Sequence, residues 1–91
     1  MVEVRVPAPL RAATEGAKVV QGRGETVGEL LADLTSRYPG IKPSLFDATT
    51  GELRQFVNVY VNDEDIRYLG RLQAPLGPND TVSILPAVAG G

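Results

Sequence analysis

The chain of 91 residues contains no cysteine and no histidine. Without cysteine it can form neither a disulfide bridge nor a thiol nucleophile. Without histidine it has no imidazole for acid–base catalysis, and the two missing residue types are the commonest zinc ligands. Any chemistry at this chain must therefore use an unusual reactive group.

Long hydrophobic runs and a surplus of positive charge are also missing. No apolar run approaches the ~20 residues of a membrane-spanning helix, and the first residues lack the pattern of a secretory signal. Nine basic and eleven acidic side chains give a formal net charge of −2, which does not attract polyanions. We therefore expect a soluble cytoplasmic protein with neither nucleic-acid nor membrane partners.

The composition that is present is typical of one globular domain, with 43% hydrophobic and 22% charged residues. Val2, Val4 and Val6 alternate with charged residues, which predicts a strand with one buried face. Residues 18–21 form a second short strand pattern. Turn-forming residues at 14–16 lie between the two and predict a hairpin.

The clearest helix signal begins at Thr26. Thr26 and Glu29 form a Thr-x-x-Glu capping box, in which each side chain satisfies a free backbone N–H of the first turn. Pro39 ends the helix because it disfavours helical geometry at Tyr38. One apolar stripe runs between these limits, formed by Val27, Leu30, Leu31 and Leu34.

The second half of the chain is rich in strand patterns. Phe56 to Asn62 alternates with its valines on one side, and Thr81 to Leu85 alternates in the same way. Residues 65–69 form a weaker strand pattern after a turn at Asn62-Asp63. Two strands, one helix and further strands predict an α+β fold rather than an alternating α/β fold.

The last residues, 87–91, are small and end in two glycines. Fully extended, they would reach about 16–18 Å beyond a domain formed by residues 1–86. Gly90 and Gly91 have no Cβ, so they can enter a slot too narrow for other residues. We therefore predict a flexible tail that presents the α-carboxylate of Gly91, although the ends of many domains are simply disordered.

Two segments resemble the sulfur-carrier proteins of the ThiS and MoaD type. They are residues 56–67, with the sequence FVNVYVNDEDIR, and residues 82–91, with the sequence VSILPAVAGG. The similarity extends over nearly the whole chain and is densest after Leu53. It implies a ubiquitin-like β-grasp fold, in which one main helix covers a mixed sheet of about four to five strands.

The resemblance also implies a chemical role for the tail. An E1-like adenylating enzyme of the ThiF or MoeB type would activate the Gly91 carboxylate with ATP, and sulfur would then replace one oxygen to give a thiocarboxylate. Gly90 and Ala89 would give this end access to narrow active sites. The chain would be a carrier rather than an enzyme, and would bind no cofactor or metal itself.

The similarity is greatest to carriers that serve cysteine biosynthesis. It implies two further partners, a pyridoxal-phosphate-dependent cysteine synthase and a JAMM-type zinc metallopeptidase that releases the cysteine. Delivery to thiamine, molybdopterin or secondary-metabolite biosynthesis stays open. A ubiquitin-like protein modifier, a subunit that inserts its tail into an enzyme, and an interaction module with an inert tail also remain as alternatives.

A docking surface is predicted from strand alternation. Phe56 and Tyr60 point away from the inward valines, and Leu85 points outward on the last strand. If these strands are neighbours, the three side chains form an apolar patch near the root of the tail. The alternative is that a loop covers them.

Two other motifs are interpreted as structural. Gly22-Arg23-Gly24 precedes a helix, but Val27 occupies the position where a dinucleotide-binding fingerprint needs its third glycine. Asp63-Glu64-Asp65 places three carboxylates in a turn without the further ligands of a metal site. A weaker hypothesis is that these acids help to dock a basic partner surface.

Overall fold

The structure is a computed structural model that describes residues 1–55 and 57–86, with only the backbone of Pro86 described. The strands are β1 (Val2–Arg5), β2 (Val19–Gly22), β3 (Val57–Val61), β4 (Glu64–Asp65) and β5 (Thr81–Pro86). The α-helices are α1 (Val27–Arg37) and α2 (Lys42–Leu45). Short 3-10 helices occupy Ala8–Thr14, Pro39–Ile41, Ile66–Tyr68 and Arg71–Gln73.

The strands of the described residues form one mixed sheet in the order β2-β1-β5-β3-β4. β1 and β5 are parallel, whereas the other neighbours are antiparallel. One face of this sheet carries the core, in which Val4, Val59 and Val82 are at most 1% exposed. The prediction of a mixed sheet of four to five strands with one main helix is confirmed.

Helix α1 covers that face as its apolar stripe predicts. Leu30 and Leu31 are fully buried, and Leu34 is 1% exposed. The hydroxyl of Thr26 accepts a hydrogen bond from the Glu29 N–H, so the predicted N-cap is present. The reciprocal bond differs by one residue, because Glu29 Oε1 accepts from the N–H of Glu25 rather than from that of Thr26.

The predicted hairpin of β1 and β2 is confirmed, because the two strands pair antiparallel, but its connection is longer than the turn at residues 14–16. The 3-10 helix Ala8–Thr14 lies between the two strands, and it buries Leu10 and Thr14. The turn residues Glu15 and Gly16 follow this helix with positive φ angles of 59° and 84°. They return the chain to β2 after a longer connection, and β2 begins one residue later than the pattern indicated.

The predicted strand at residues 65–69 is wrong for most of its length. β4 ends at Asp65, whose carboxylate accepts a hydrogen bond from the Arg67 N–H and caps the 3-10 helix Ile66–Tyr68. This local bond competes with strand pairing and turns the chain so that Ile66 is buried. Asn62 and Asp63 make the preceding two-residue turn with φ angles of 51° and 71°.

The glycines of Gly22-Arg23-Gly24 lie where α1 packs closely on the chain. A Cβ placed on Gly24 would lie 2.5 Å from the backbone nitrogen of Leu30. A Cβ on Gly22 would collide with the side chain of Leu30. Contact with the buried helix therefore explains both glycines without a phosphate ligand.

A carboxylate links the start of β5 to the β3–β4 turn. Asp80 accepts hydrogen bonds from the N–H of Gly77 at 2.7 Å and from the side-chain amide of Asn62 at 2.8 Å. Asn62 in turn accepts from the N–H of Thr81. The Gly77 bond first, and the Asn62 bond second, lower the pKa of Asp80 from its usual value of 3.8.

Stability should fall in acid through this carboxylate. The folded pKa is lower than the unfolded one, so the stabilisation is complete above the unfolded value and is lost as the pH falls through the folded value. We expect Asp80→Asn to be less stable at neutral pH and to lose less stability than the wild type between about pH 5 and pH 2. Urea midpoints across that range measure this difference, with the exposed Glu64→Gln as control. Parallel pH profiles for Asp80→Asn and the wild type would contradict it.

Candidate functional site

The predicted site residues fall into two groups. Gly91, Gly90, Ala89 and Phe56 lie outside the described residues, as does the whole predicted tail 87–91. Tyr60 and Leu85 are described. The last described residue of β5 is Pro86, which pairs with Val57, so the described part of the chain ends beside the start of β3.

Tyr60 and Leu85 share the sheet face that α1 does not cover. Tyr60 pairs with Ser83 across β3 and β5, and Leu85 pairs with Asn58. Tyr60 and Leu85 are therefore diagonal neighbours, which lie roughly 7–8 Å apart between such strands. Leu85 is 51% exposed and Tyr60 is half-buried, so no described loop covers Leu85.

A groove of about 430 Å³ runs along β5 on this face. Ser83 lies in its middle, between Arg5 on β1 and Tyr60 on β3 in the strand register. The groove extends toward Leu85 and Pro7 at one end and to Asp63 at the other. The site therefore brings together apolar side chains from the end of β5 and charged residues from its margins.

Two arginines border this groove. Arg11 donates from Nε to the carbonyl oxygen of Val6 at 3.1 Å, a bond that does not use its two terminal nitrogens. The Arg5 side chain is 64% exposed and lies 3.7 Å from the Glu3 carboxylate, a distance at which an exposed pair contributes little stability. The margin beside Ser83 and Leu85 therefore carries two guanidinium groups, with the Glu3 carboxylate next to that of Arg5.

Sequence reasoning missed Arg5, Arg11 and Ser83. Their proximity depends on the parallel pairing of β1 with β5, which joins residues nearly eighty positions apart in the chain. Strand alternation alone indicates that Arg5 and Ser83 point away from the core, but it does not indicate that they are neighbours.

A second groove, of about 820 Å³, lies between β3 and residues of the segments 51–55 and 65–73. Its lining includes Arg54, Arg67 and Arg71, with buried Val57 and Val59 at its base. Arg67 pairs with Asp65 at 3.4 Å and donates to the Asn58 side chain, and Arg54 donates to the carbonyl oxygen of Pro43. At least two of these arginines therefore hold the local structure together.

The acidic run 63–65 has a structural use. Asp65 caps the 3-10 helix that follows it, and Asp63 occupies the tight turn. Within residues 1–55 and 57–86, no group of three or more acidic, histidine or cysteine side chains is arranged to hold a metal ion. In the same part of the chain, no helix is long and apolar enough to cross a membrane.

Known proteins match this chain over nearly its whole length. Sulfur carrier protein CysO of Mycobacterium tuberculosis is 47% identical over 91 residues, which are 99% of this chain and 98% of that protein. The structure superimposes on the Amycolatopsis orientalis BexX/CysO complex with a TM-score of 0.91 and 48% identity, with both matched chains fully covered. It matches small archaeal modifier protein 1 of Methanosarcina acetivorans with a TM-score of 0.89 and 34% identity, over 99% of this chain and 95% of that one.

These matches bear out the ubiquitin-like β-grasp fold and the resemblance to sulfur carriers, including that to CysO. The family model for the ThiS family matches residues 4–91. The chain therefore belongs to the ThiS family.

Proposed function

We propose that this chain is a sulfur carrier protein that transports sulfur as a thiocarboxylate on Gly91. The observation that carries the proposal is the 47% identity to the sulfur carrier CysO over 98% of that protein. The lack of cysteine and histidine supports it, because a carboxylate at the end of the backbone needs neither residue. The exposed Leu85 beside the exit of β5 supplies a surface on which a partner can hold the domain.

The loading reaction has two steps on the same carbon. A carboxylate oxygen of Gly91 attacks the α-phosphorus of ATP, and pyrophosphate leaves. Sulfide then attacks the acyl carbon, and the C–O bond to AMP breaks. If the donor is a persulfide, its terminal sulfur attacks instead, and a thiol later cleaves the remaining S–S bond by forming a disulfide with the other sulfur. Adenylation is needed because a free carboxylate repels nucleophiles and offers no good leaving group, whereas AMP leaves readily.

The catalytic groups belong to the partners in this proposal. An E1-like enzyme of the ThiF or MoeB type supplies the ATP site, and the carrier binds no cofactor itself. Tyr60 and Leu85, together with Phe56, form the docking patch, and Gly90 and Ala89 pass through the narrow entrance of the active site. Because loading consumes ATP, we place the carrier in the cytoplasm.

Cysteine biosynthesis is the proposed destination of the sulfur. On a pyridoxal-phosphate-dependent cysteine synthase, the thiocarboxylate sulfur bonds to the β-carbon of an activated serine derivative, and the activated oxygen group leaves that carbon. A JAMM-type zinc metallopeptidase then hydrolyses the carrier–cysteine adduct, which releases cysteine and restores the Gly91 carboxylate. The support is the 47% identity to the sulfur carrier CysO. Thiamine, molybdopterin and secondary-metabolite enzymes are alternative acceptors of the same sulfur.

Intact mass spectrometry tests the loading step. The full chain is incubated with the adenylating enzyme of the same genome, ATP and sulfide. We expect its mass to increase by the difference between one sulfur and one oxygen atom, only when all three reagents are present. Pyrophosphate release on adding this chain shows that the enzyme adenylates it. If the mass then does not change, sulfur loading is contradicted.

A protein modifier is the second candidate, and the 34% identity to a small archaeal modifier protein favours it. The adenylated Gly91 would then be attacked by a lysine amine, with AMP as leaving group and an isopeptide bond as product. Incubation with ATP, the adenylating enzyme and cell extract distinguishes the two: conjugates on other proteins indicate a modifier, and thiocarboxylate without conjugates indicates a carrier.

A further inference from the structure

Ser83 creates a depression in the middle of the uncovered sheet face. It is the shortest side chain in its row across the sheet, because Arg5 and Tyr60 are its register neighbours on β1 and β3. Ser83 itself is half-buried between them. The groove along β5 therefore has a narrow gap over Ser83, with a guanidinium on one side and a phenol ring on the other.

The gap is open toward the apolar end of the groove. Leu85 and Pro7 lie at that end, and Leu85 leaves half of its surface in contact with solvent. A bulky apolar side chain placed over Ser83 would contact Tyr60 and Leu85 together. Burying such surfaces at the centre of an interface is the usual source of the strongest binding contributions.

The charges around the gap favour an acidic partner. Arg5 lies beside Ser83, with the exposed Glu3 carboxylate 3.7 Å from it. Arg11 is anchored at Val6, next to the apolar end, through a bond that leaves its two terminal nitrogens unused. The chain as a whole has a net charge of −2, which repels an acidic protein surface in general. At this margin two guanidinium groups outnumber the single carboxylate of Glu3, and this local surplus attracts such a surface. Asp63 at the opposite end repels a carboxylate there, which selects one orientation.

We propose that the gap over Ser83 receives one bulky apolar side chain of a partner protein, flanked by a carboxylate that pairs with Arg5 or Arg11. Ser83 is then a specificity-determining residue, because only a small residue at this position leaves the gap open. The inference rests on the proposed function in one respect: the partner is a protein that docks to receive or load the tail.

Isothermal titration calorimetry tests the proposal by measuring the affinity of the full chain for BexX of Amycolatopsis orientalis. BexX is the probe because it forms a solved complex with a CysO that is 48% identical to this chain. The titration contains no ATP, so no bond forms at Gly91. We expect Ser83→Trp to weaken binding at least about tenfold by filling the gap, and Ser83→Ala to bind like the wild type.

The arginines are tested by charge reversal. We expect Arg5→Glu and Arg11→Glu each to weaken binding by about threefold to tenfold, with a smaller loss at high salt. Arg71→Glu is the matched control, because Arg71 is an exposed arginine in the 3-10 helix that packs against α1 on the other face. Thermal unfolding of each variant checks that the fold is retained.

Specific outcomes overturn the proposal. One is binding of Ser83→Trp to BexX as tightly as the wild type. A second is a loss of affinity for Arg5→Glu and Arg11→Glu no larger than that for Arg71→Glu. A third is no binding of the wild type to BexX. Amide NMR shifts on adding BexX provide a second measurement, expected at Tyr60, Ser83 and Leu85 and not at Arg71. The mass assay for sulfur loading is independent of these results, so failure of the docking proposal and failure of the carrier proposal are distinguishable.

Discussion

Converting the carboxylate of Gly91 to an amide is expected to abolish thiocarboxylate formation. The amide keeps the length and the side chains of the chain but removes the anionic oxygen that attacks ATP, so adenylation has no nucleophile at this position. A chain ligated to glycinamide is compared with the same ligated chain ending in glycine. Intact mass after incubation with the adenylating enzyme, ATP and sulfide measures the loaded fraction.

An added glycine after Gly91 is the matched control for the amide. It keeps a terminal carboxylate and moves it by about 3.5 Å, so it changes reach without changing chemistry. We expect this variant to be adenylated slowly and the amide not at all. Sulfur loading of the amide chain at the wild-type level would refute a reaction at the Gly91 carboxylate.

Leu30→Ala is expected to remove a large part of the folding free energy. Leu30 is completely buried between α1 and the sheet, so the truncation leaves a cavity as well as losing apolar burial. Such substitutions cost about 2–5 kcal/mol, against about 5–14 kcal/mol for a domain of this size. Urea unfolding followed by circular dichroism measures the loss.

Leu85→Ala makes the same chemical change on the surface. Leu85 is 51% exposed, so we expect its truncation to change the free energy of unfolding by less than about 1 kcal/mol. The two variants thus separate the stability role of Leu30 from the docking role proposed for Leu85. A loss for Leu85→Ala as large as that for Leu30→Ala would show that Leu85 belongs to the core.

Local patterns were sufficient where one segment decides its own structure. Thr26 and Glu29 mark the start of α1, and Pro39 marks its end, because capping and the restriction before proline involve only neighbouring residues. Val57, Val59 and Val61 face the core as their alternation predicts, since a strand repeats every two residues.

Local patterns were insufficient where side chain–backbone hydrogen bonds between near neighbours in sequence compete with strand formation. Residues 65–69 have the composition of a strand, but the Asp65 carboxylate captures the Arg67 N–H and a 3-10 helix forms instead. The connection Ala8–Thr14 was missed because Pro7 before it, Pro9 within it and its alanines show neither a strand nor an α-helix period.

The sequence by itself determined the α+β class, the position of α1, the inward faces of β3 and β5, and the family resemblance of residues 56–67 and 82–91. Each of these depends on spacing or identity along one stretch of chain. Only the tertiary structure decided that β1 lies parallel to β5, and hence that Arg5, Ser83 and Tyr60 form one row across the sheet. Strand partners are selected by burial of the whole sheet beneath α1, and this non-local free energy leaves no pattern in any single segment.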